Sequence, residues 1–329
     1  MGSEQSNLLE LAHQTVKQRR LSAKTETAYV NHIRRFLEFH KNDDMSVKRA
    51  EKISVFLRHL QKDEHLAAPT RNQARCALLF LYRDVLGQKL PRHFDRIERA
   101  RVPGKRPVIF TPEEVKAVLD KMRDAAYLVA ALIYGSGLRL TEAVKLRVRD
   151  IDFDAGEIVV RDPRTAAKDR ATVLPKAIIT KLRRHLIMVK FTNEDDCLSG
   201  FGKVFLPEKI FRETPDVAGV WEWHYVFPSA KLSTAKNGVT WRHHLAESTV
   251  QKAVTAAIEN ADIFKHGCCQ SLRYSFAAHL FEQNHDVHTI QSLLGHKNLK
   301  TTMSYLTVGV GTGNNLLSPL DFTVQTAKV

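Results

Sequence analysis

The sequence predicts a mainly α-helical protein in two parts, a helical bundle followed by an α+β domain that carries a small antiparallel β-sheet. Three observations predict it. Apolar residues recur at helical spacing in four segments up to residue 86. A basic stretch with three prolines and no periodicity follows at 88–107. Beyond it, two short runs flank Ala155–Gly156 in "DIDFDAGEIVV", and a third lies at "RATVL", all set among helical segments. A chain of 329 residues also exceeds most single domains.

The spacing predicts helices near 6–19, 23–40, 47–63 and 70–86, with Ser22 and Ser46 as N-caps of the second and third and Gly87 ending the fourth. This places a helical domain at 1–87, a basic linker at 88–107 and a second domain at 108–329. The second domain opens on "TPEEV", where Thr111 caps, Pro112 takes the first helical position and Glu114 completes a capping box. A helix through Tyr127–Tyr134 leads into "GSGLRLTEAVKL", then come the three strands. Further helices are expected near 176–190, 247–260, 271–283, 287–294 (capped by Asp286) and 299–306. Residues 191–223, rich in Phe, Pro and acidic groups, read as irregular, and the tail after Tyr305, with Gly309, Gly311 and Gly313, reads as flexible.

Composition narrows the function. No apolar run approaches a membrane span, and the first residues lack the basic flank and apolar stretch of a signal peptide, so an intracellular protein is expected. Cys76, Cys197, Cys268 and Cys269 have neither metal-ligand spacing nor a disulfide pattern, and no P-loop is present. Net charge is +14, of which residues 1–110 hold +10. That excess points to a polyanionic partner, most simply nucleic acid, with Lys24, Arg101, Lys105 and Arg106 as candidate phosphate contacts.

Three helix-end motifs stand out: "GSGLRLTE" with Arg139, "QSLRYSF" with Arg273, and "LLGHKNLKTTMSYL" with His296 and Tyr305. Arg273 shares a helix face with Phe276, Ala277 and Leu280, so it needs either an acidic partner or an anion from outside. Taken singly, Arg139 reads as a helix-end surface group, His296 as a dipole-favoured C-terminal histidine and Tyr305 as a core aromatic.

Together, in this order and with Tyr305 nine residues after His296, the set resembles the tyrosine site-specific recombinases of the phage integrase family. The resemblance covers essentially the whole chain and implies a core-binding helical domain joined to an α+β catalytic domain. Within the family the chain is most similar to integron integrases. The segment 191–223, "WEWHYVFPSAKLS", "RHHLAESTVQKAV" and the tail "LLSPLDF" carry that similarity. It implies strand exchange through a 3′-phosphotyrosine, with no metal and no nucleotide cofactor, by a homo-tetramer on DNA in the bacterial cytoplasm at the nucleoid. Folded single-stranded sites with extrahelical bases are the implied substrates, alongside double-stranded ones. Trp221, Trp223, His224, His243 and His244 are the candidate base contacts, whereas Tyr225 and Phe227 read as core.

The implied roles suit the chemistry. Two guanidiniums, Arg139 and Arg273, would clamp a phosphate whose negative charge grows during attack, with Glu142 supporting the first. Tyr305 would be the nucleophile and His296 a hydrogen-bonding group at the transition state. The chain departs from the family pattern at two places. Gln270 stands where the family has a proton-accepting histidine, and glutamine takes up no proton near neutral pH. In "VVRDPRTAAKDRATVLP", Arg164 and Lys168 compete for the place of the catalytic lysine, and the flanking glycines are Pro163 and Thr165. Tyr274 also replaces a common histidine, which reads as a packing change. A DNA-binding relative with weakened catalysis is thus the alternative reading.

Overall fold

The computed structural model describes residues 3–19, 21–41, 49–88, 100, 107–161, 169–234, 238–306 and 318–321. Arg101, Lys105, Arg106, Arg164, Lys168, the Ser46 cap and the glycines of the tail lie outside them. The chain divides into two compact units, Met1–Lys105 and Arg106–Val329.

The first unit is a bundle of α1 (Ser3–Gln18), α2 (Ala23–Phe39), α3 (Arg49–Lys62) and α4 (Ala68–Phe80). Ser22 caps α2 by accepting from the Thr25 amide. The apolar stripes meet in a core of Leu9, Val16, Ile33, Phe36, Phe56 and Leu78, with Phe36 edge-on to Phe56. After α4 the backbone widens into a π-turn at Leu81–Val85 and stops before Gly87, whose φ is +61°. The Asn72 side chain exchanges two 3.0 Å bonds with the backbone of Ala100, which pins that linker residue to α4.

The second unit starts as its sequence predicts: Thr111 and Glu114 form a reciprocal capping box at the head of α5 (Pro112–Asp120). α6 (Asp124–Ser136), buried from Leu128 to Ser136, packs on α11 (Cys269–Glu282), and these two apolar helices centre the core. Around them lie α7 (Leu140–Val144), α8 (Ile179–Leu198), α9 (Glu208–Glu213), α10 (Glu247–Asn260), α12 (Val287–Leu294) and α13 (Leu299–Met303). β1 (Ile151–Asp152), β2 (Glu157–Val160) and β3 (Arg170–Val173) form the expected antiparallel sheet in the order β1-β2-β3. Thr172 of β3 donates to the Ser136 carbonyl at 2.7 Å, fixing the sheet to the end of α6. No helix among the described residues is long and apolar enough to cross a membrane.

Three expectations are corrected, and one element had no counterpart among them. Residues 191–223 are irregular only in part, at 199–207: α8 runs on to Leu198, and α9 and two 3-10 turns, Pro215–Gly219 and Trp221–Trp223, follow the loop. Acidic residues are unfavourable in a helix's last turn, but Asp196 there is paired by both its oxygens to Arg242. Arg242 belongs to an unanticipated hairpin of β4 (Pro228–Thr234) and β5 (Thr240–His244). The helix expected to reach residue 306 ends at Met303, where the Ser304 hydroxyl bonds the Thr301 carbonyl and Leu306 turns into the core. Finally, part of the tail is docked on its own chain. Ser318 donates to the Gly135 carbonyl at 2.6 Å, Leu320 is buried, and Asp321 accepts from the Lys176 and Ala177 amides.

Candidate active site

The three motifs converge because two helices end where a third begins. α6 stops at Gly137 and α12 at Gly295, both left-handed at φ +64° and +63°, which leaves the last carbonyls of each helix without helical partners. Arg273, projecting from α11, takes them. It donates to the Gly137 and Leu294 carbonyls, the latter at 2.6 Å. Its guanidinium is fully buried, its Nε has no partner among the described residues, and burial followed by the charge of Arg139 pulls its pKa down. Of the two partners the sequence left open, an acidic one is present: Glu142, 3.7 Å away.

Glu142 organises the rest. It accepts from the Arg139 amide at 2.8 Å and from the Arg139 guanidinium at 2.7 Å, so the first arginine is anchored at the start of α7 by its own helix. Arg170, at the head of β3, spans both carboxylate oxygens at 3.1 and 2.7 Å. Burial pushes the Glu142 carboxyl up, but the bond and charge of Arg170 and the contacts of Arg139 outweigh it and hold its pKa at about 2.

His296 lies buried between Arg273 and Thr302. The Arg273 guanidinium donates to Nε2 at 3.2 Å, which leaves Nδ1 as the protonated nitrogen facing the Thr302 hydroxyl at 3.0 Å. Burial and then Arg273, Arg139 and Arg170 pull its pKa down to about 4, so it is neutral at pH 7. Its ring stands edge-on to Tyr305 with centroids 4.9 Å apart, and Tyr274 meets the same tyrosine at 4.5 Å. Gln270 donates to the Tyr305 hydroxyl at 3.5 Å, a long contact. Thus Arg139, Gln270, Arg273, His296 and Tyr305 come together in one contiguous network with Glu142. Arg170 and Tyr274 are the members without an expected site role. Tyr274 is more than packing remote from the site, since it lines the wall against Tyr305.

The aromatic segment has its own small core of Val204, Leu206, Ala218 and Tyr225, with Trp223 packed on it. Arg147 ties it down, donating to the Phe205 carbonyl at 2.9 Å and to the Trp223 carbonyl, and lying over the Tyr225 ring. Tyr225 and Phe227 are buried, as expected. Trp221, Trp223, His224, His243 and His244 are half-buried, and each has a face in use. Trp221 stacks on His224, the Arg149 guanidinium covers Trp223 at 4.1 Å, and His243 and His244 lie against each other and Tyr225. Burial, followed by His244, Lys145 and Arg147, lowers the His243 pKa to about 4. Lys24 is exposed in the first turn of α2.

Among the described residues no group of His, Cys, Asp and Glu side chains is placed to hold a metal ion. What the site offers is fixed positive charge, hydrogen-bond donors and a phenol.

Known proteins share both sequence and fold. The phage integrase family matches residues 109–310, and the phage integrase N-terminal SAM-like domain matches 8–92. An integrase/recombinase of Escherichia coli is 36% identical over 315 residues, covering 95% of this chain and 93% of its own. Tyrosine recombinase XerA of Thermococcus kodakarensis is 31% identical over 292 residues, covering 88% and 86%. Two solved structures share the fold. XerH site-specific recombinase bound to a palindromic difH substrate has a TM-score of 0.61 at 20% identity, covering 88% of this chain and 78% of its own. A lambda integrase dimer bound to a core site has a TM-score of 0.60 at 16% identity, covering 94% and 98%. The chain therefore belongs to the phage integrase family, the tyrosine recombinases, a class of enzymes that transfer DNA strands.

Proposed function

We propose that this protein is a site-specific recombinase of the integron-integrase type, which integrates and excises gene cassettes by cutting and rejoining DNA at folded single-stranded and double-stranded sites. One observation carries the chemistry. Arg139, Arg273, His296 and Tyr305, drawn from three separate stretches of sequence, meet in one network that Glu142 joins through the two arginines.

Arg139 and Arg273 bind the non-bridging oxygens of the scissile phosphate and stabilise the charge that builds there. The Tyr305 phenol oxygen attacks phosphorus as its proton passes to solvent water, and the P–O5′ bond breaks. A 3′-phosphotyrosine forms, and the departing 5′ oxygen takes up a proton. The ester is retained, so a 5′ hydroxyl from a second DNA reverses the step without nucleotide or metal. Gln270 steadies the Tyr305 oxygen by donating to it and takes no proton. The proton for the leaving oxygen falls to the loop that holds Arg164 and Lys168.

The helical unit with Lys24 and the basic linker with Arg101, Lys105 and Arg106 grip the duplex phosphates, and the assembled form is a homo-tetramer on two paired DNA sites in the bacterial cytoplasm. Support for the integron type comes from the separately packed aromatic segment at 204–225. Trp221, Trp223, His224, His243 and His244 each keep one face in protein contact, leaving half-exposed rings as stacking platforms for unpaired bases.

The test is a nicked suicide substrate built on a folded single strand of a cassette recombination site, made from each strand in turn. A covalent protein–DNA adduct is expected, absent in Tyr305→Phe, and reduced in Trp221→Ala for the folded strand but not for a duplex. No adduct on either substrate would refute strand transfer; equal loss on both would refute the base-reading role.

A further inference from the structure

Arg170 is the group at the centre of the site to which the sequence motifs give no role. Its side chain is 14% exposed. Two of its nitrogens span both Glu142 oxygens at 3.1 and 2.7 Å, and Nε donates to the Leu293 carbonyl at 2.9 Å, one turn before His296. Its aliphatic stem lies so close over Gly295 that a Cβ there would sit 2.8 Å from Cδ. One planar fork therefore joins β3, the first turn of α7 and the end of α12. A lysine, with a single ammonium, cannot hold a carboxylate side-on and reach a carbonyl as well.

The carboxylate it holds faces two other guanidiniums, Arg139 at 2.7 Å and Arg273 at 3.7 Å. These are the groups that the strand-transfer reading assigns to the phosphate. A lone Glu142 would compete with the phosphate for both. With Arg170 in place, the cluster of Arg139, Arg170, Arg273 and Glu142 keeps a net charge of two; without it, the cluster keeps one, and the remaining carboxylate draws on the clamp.

We propose that Arg170 is a positioning residue for strand cleavage: it occupies and neutralises Glu142, so that Arg139 and Arg273 stay available to the scissile phosphate. The inference rests on the strand-transfer reading above. It predicts that losing Arg170 matters only as far as the phosphate is charged, because the clamp acts on that charge.

The experiment measures single-turnover adduct formation on the same nicked folded strand, carrying at the cut position either the natural phosphodiester or a methylphosphonate, which has no charge there. Arg170→Gln is expected to slow adduct formation on the phosphodiester by about tenfold to a hundredfold, at unchanged DNA affinity in a gel-shift titration. On the methylphosphonate the loss shrinks to less than about threefold, since the reacting group carries one negative charge fewer throughout. Arg170→Lys restores charge without the fork and falls between wild type and Arg170→Gln on the phosphodiester. Equal slowing on both substrates overturns the proposal in favour of simple fold support, as does no slowing on either. Should Arg170→Gln lose its thermal transition, Arg170→Lys decides. Slowing confined to the phosphodiester supports the proposal, and equal or absent slowing overturns it. A wild-type protein that forms no adduct on either substrate overturns the strand-transfer reading and this inference with it, whereas an active wild type matched by an equally active Arg170→Gln overturns this inference alone.

Discussion

Gly137→Ala separates the two jobs of the "GSG" turn, and Gly156→Ala is its internal control. Both glycines are left-handed, at φ +64° and +70°, so each alanine pays the same backbone strain of about 1–2 kcal/mol. Their surroundings differ. A Cβ at Gly156 meets nothing within 4 Å, while one at Gly137 would lie 2.4 and 2.5 Å from two atoms of the buried Phe276 ring and 3.1 Å from Leu294. Forcing a methyl into such a core adds about 1–3 kcal/mol, which puts Gly137→Ala at about 2–5 kcal/mol in total. Against a stability of about 5–15 kcal/mol that loss is large. Trp221, Trp223 and Trp241, the three tryptophans of the chain, all lie in the second unit, so urea unfolding followed by their fluorescence reads that unit alone. Because the Gly137 carbonyl also accepts from Arg273, the same variant should form adduct more slowly. A difference between the two variants below about 0.5 kcal/mol would refute the claim that Phe276 and the end of α6 are rigidly packed around this turn.

Two further outcomes follow from the buried charges. His296 has a folded pKa of about 4 against about 6.5 when unfolded, so the stability tied to its neutral form is present above pH 6.5 and lost as pH falls through 4. The loss should be on the order of 1–3 kcal/mol, seen as a falling urea midpoint between pH 7 and pH 4, and His296→Gln should flatten it; an unchanged slope would contradict the assignment of a neutral imidazole beside Arg273. Arg242→Met leaves Asp196, 7% exposed, without its paired guanidinium, at a cost of about 3–5 kcal/mol. Hydrogen exchange should accelerate in the last turn of α8 and in the β4–β5 hairpin, and unchanged protection in both would rule the pair out as the clasp between them.

Local chemistry made much of this fold legible. Ser22, Thr111 and Asp286 cap the helices where their side chains predict it, because a cap needs only residues within three positions. The site motifs were legible in the same way, as short patterns around Arg139, Arg273, His296 and Tyr305. What stayed hidden depends on partners far along the chain. α8 outlasts its acidic end because Asp196 meets Arg242, 46 residues later. Arg170 looks like an ordinary strand-end charge until Glu142, 28 residues earlier, is seen beneath it. The β4–β5 hairpin did leave a signal, the Asn237–Gly238 pair between two runs of strand formers, a composition that favours a chain reversal. Arg149 over Trp223 left none, since no spacing rule says which ring a surface arginine will cover.

The two arginines that the proposed function assigns to the phosphate are unequal, and the inequality follows from how each is held. Arg273 has no exposed surface, and its carbonyl partners lie at the C-terminal ends of α6 and α12, where helix dipoles are negative and carbonyls have no helical partner. Burying a guanidinium is costly unless acceptors already stand in place, and here the "GSG" and "LLGH" turns place them before any DNA arrives. Its charge is thus stationary. Arg139, 41% exposed, holds Glu142 through its side chain at the surface, where in the proposed reaction it would exchange carboxylate for phosphate, with Arg170 keeping the carboxylate behind. A fixed charge facing a movable one suits a site that must bind a phosphate, let it become a phosphotyrosine, and then release a strand. In the proposed reaction the buried arginine would keep the reaction centre in register while the exposed one follows the phosphate.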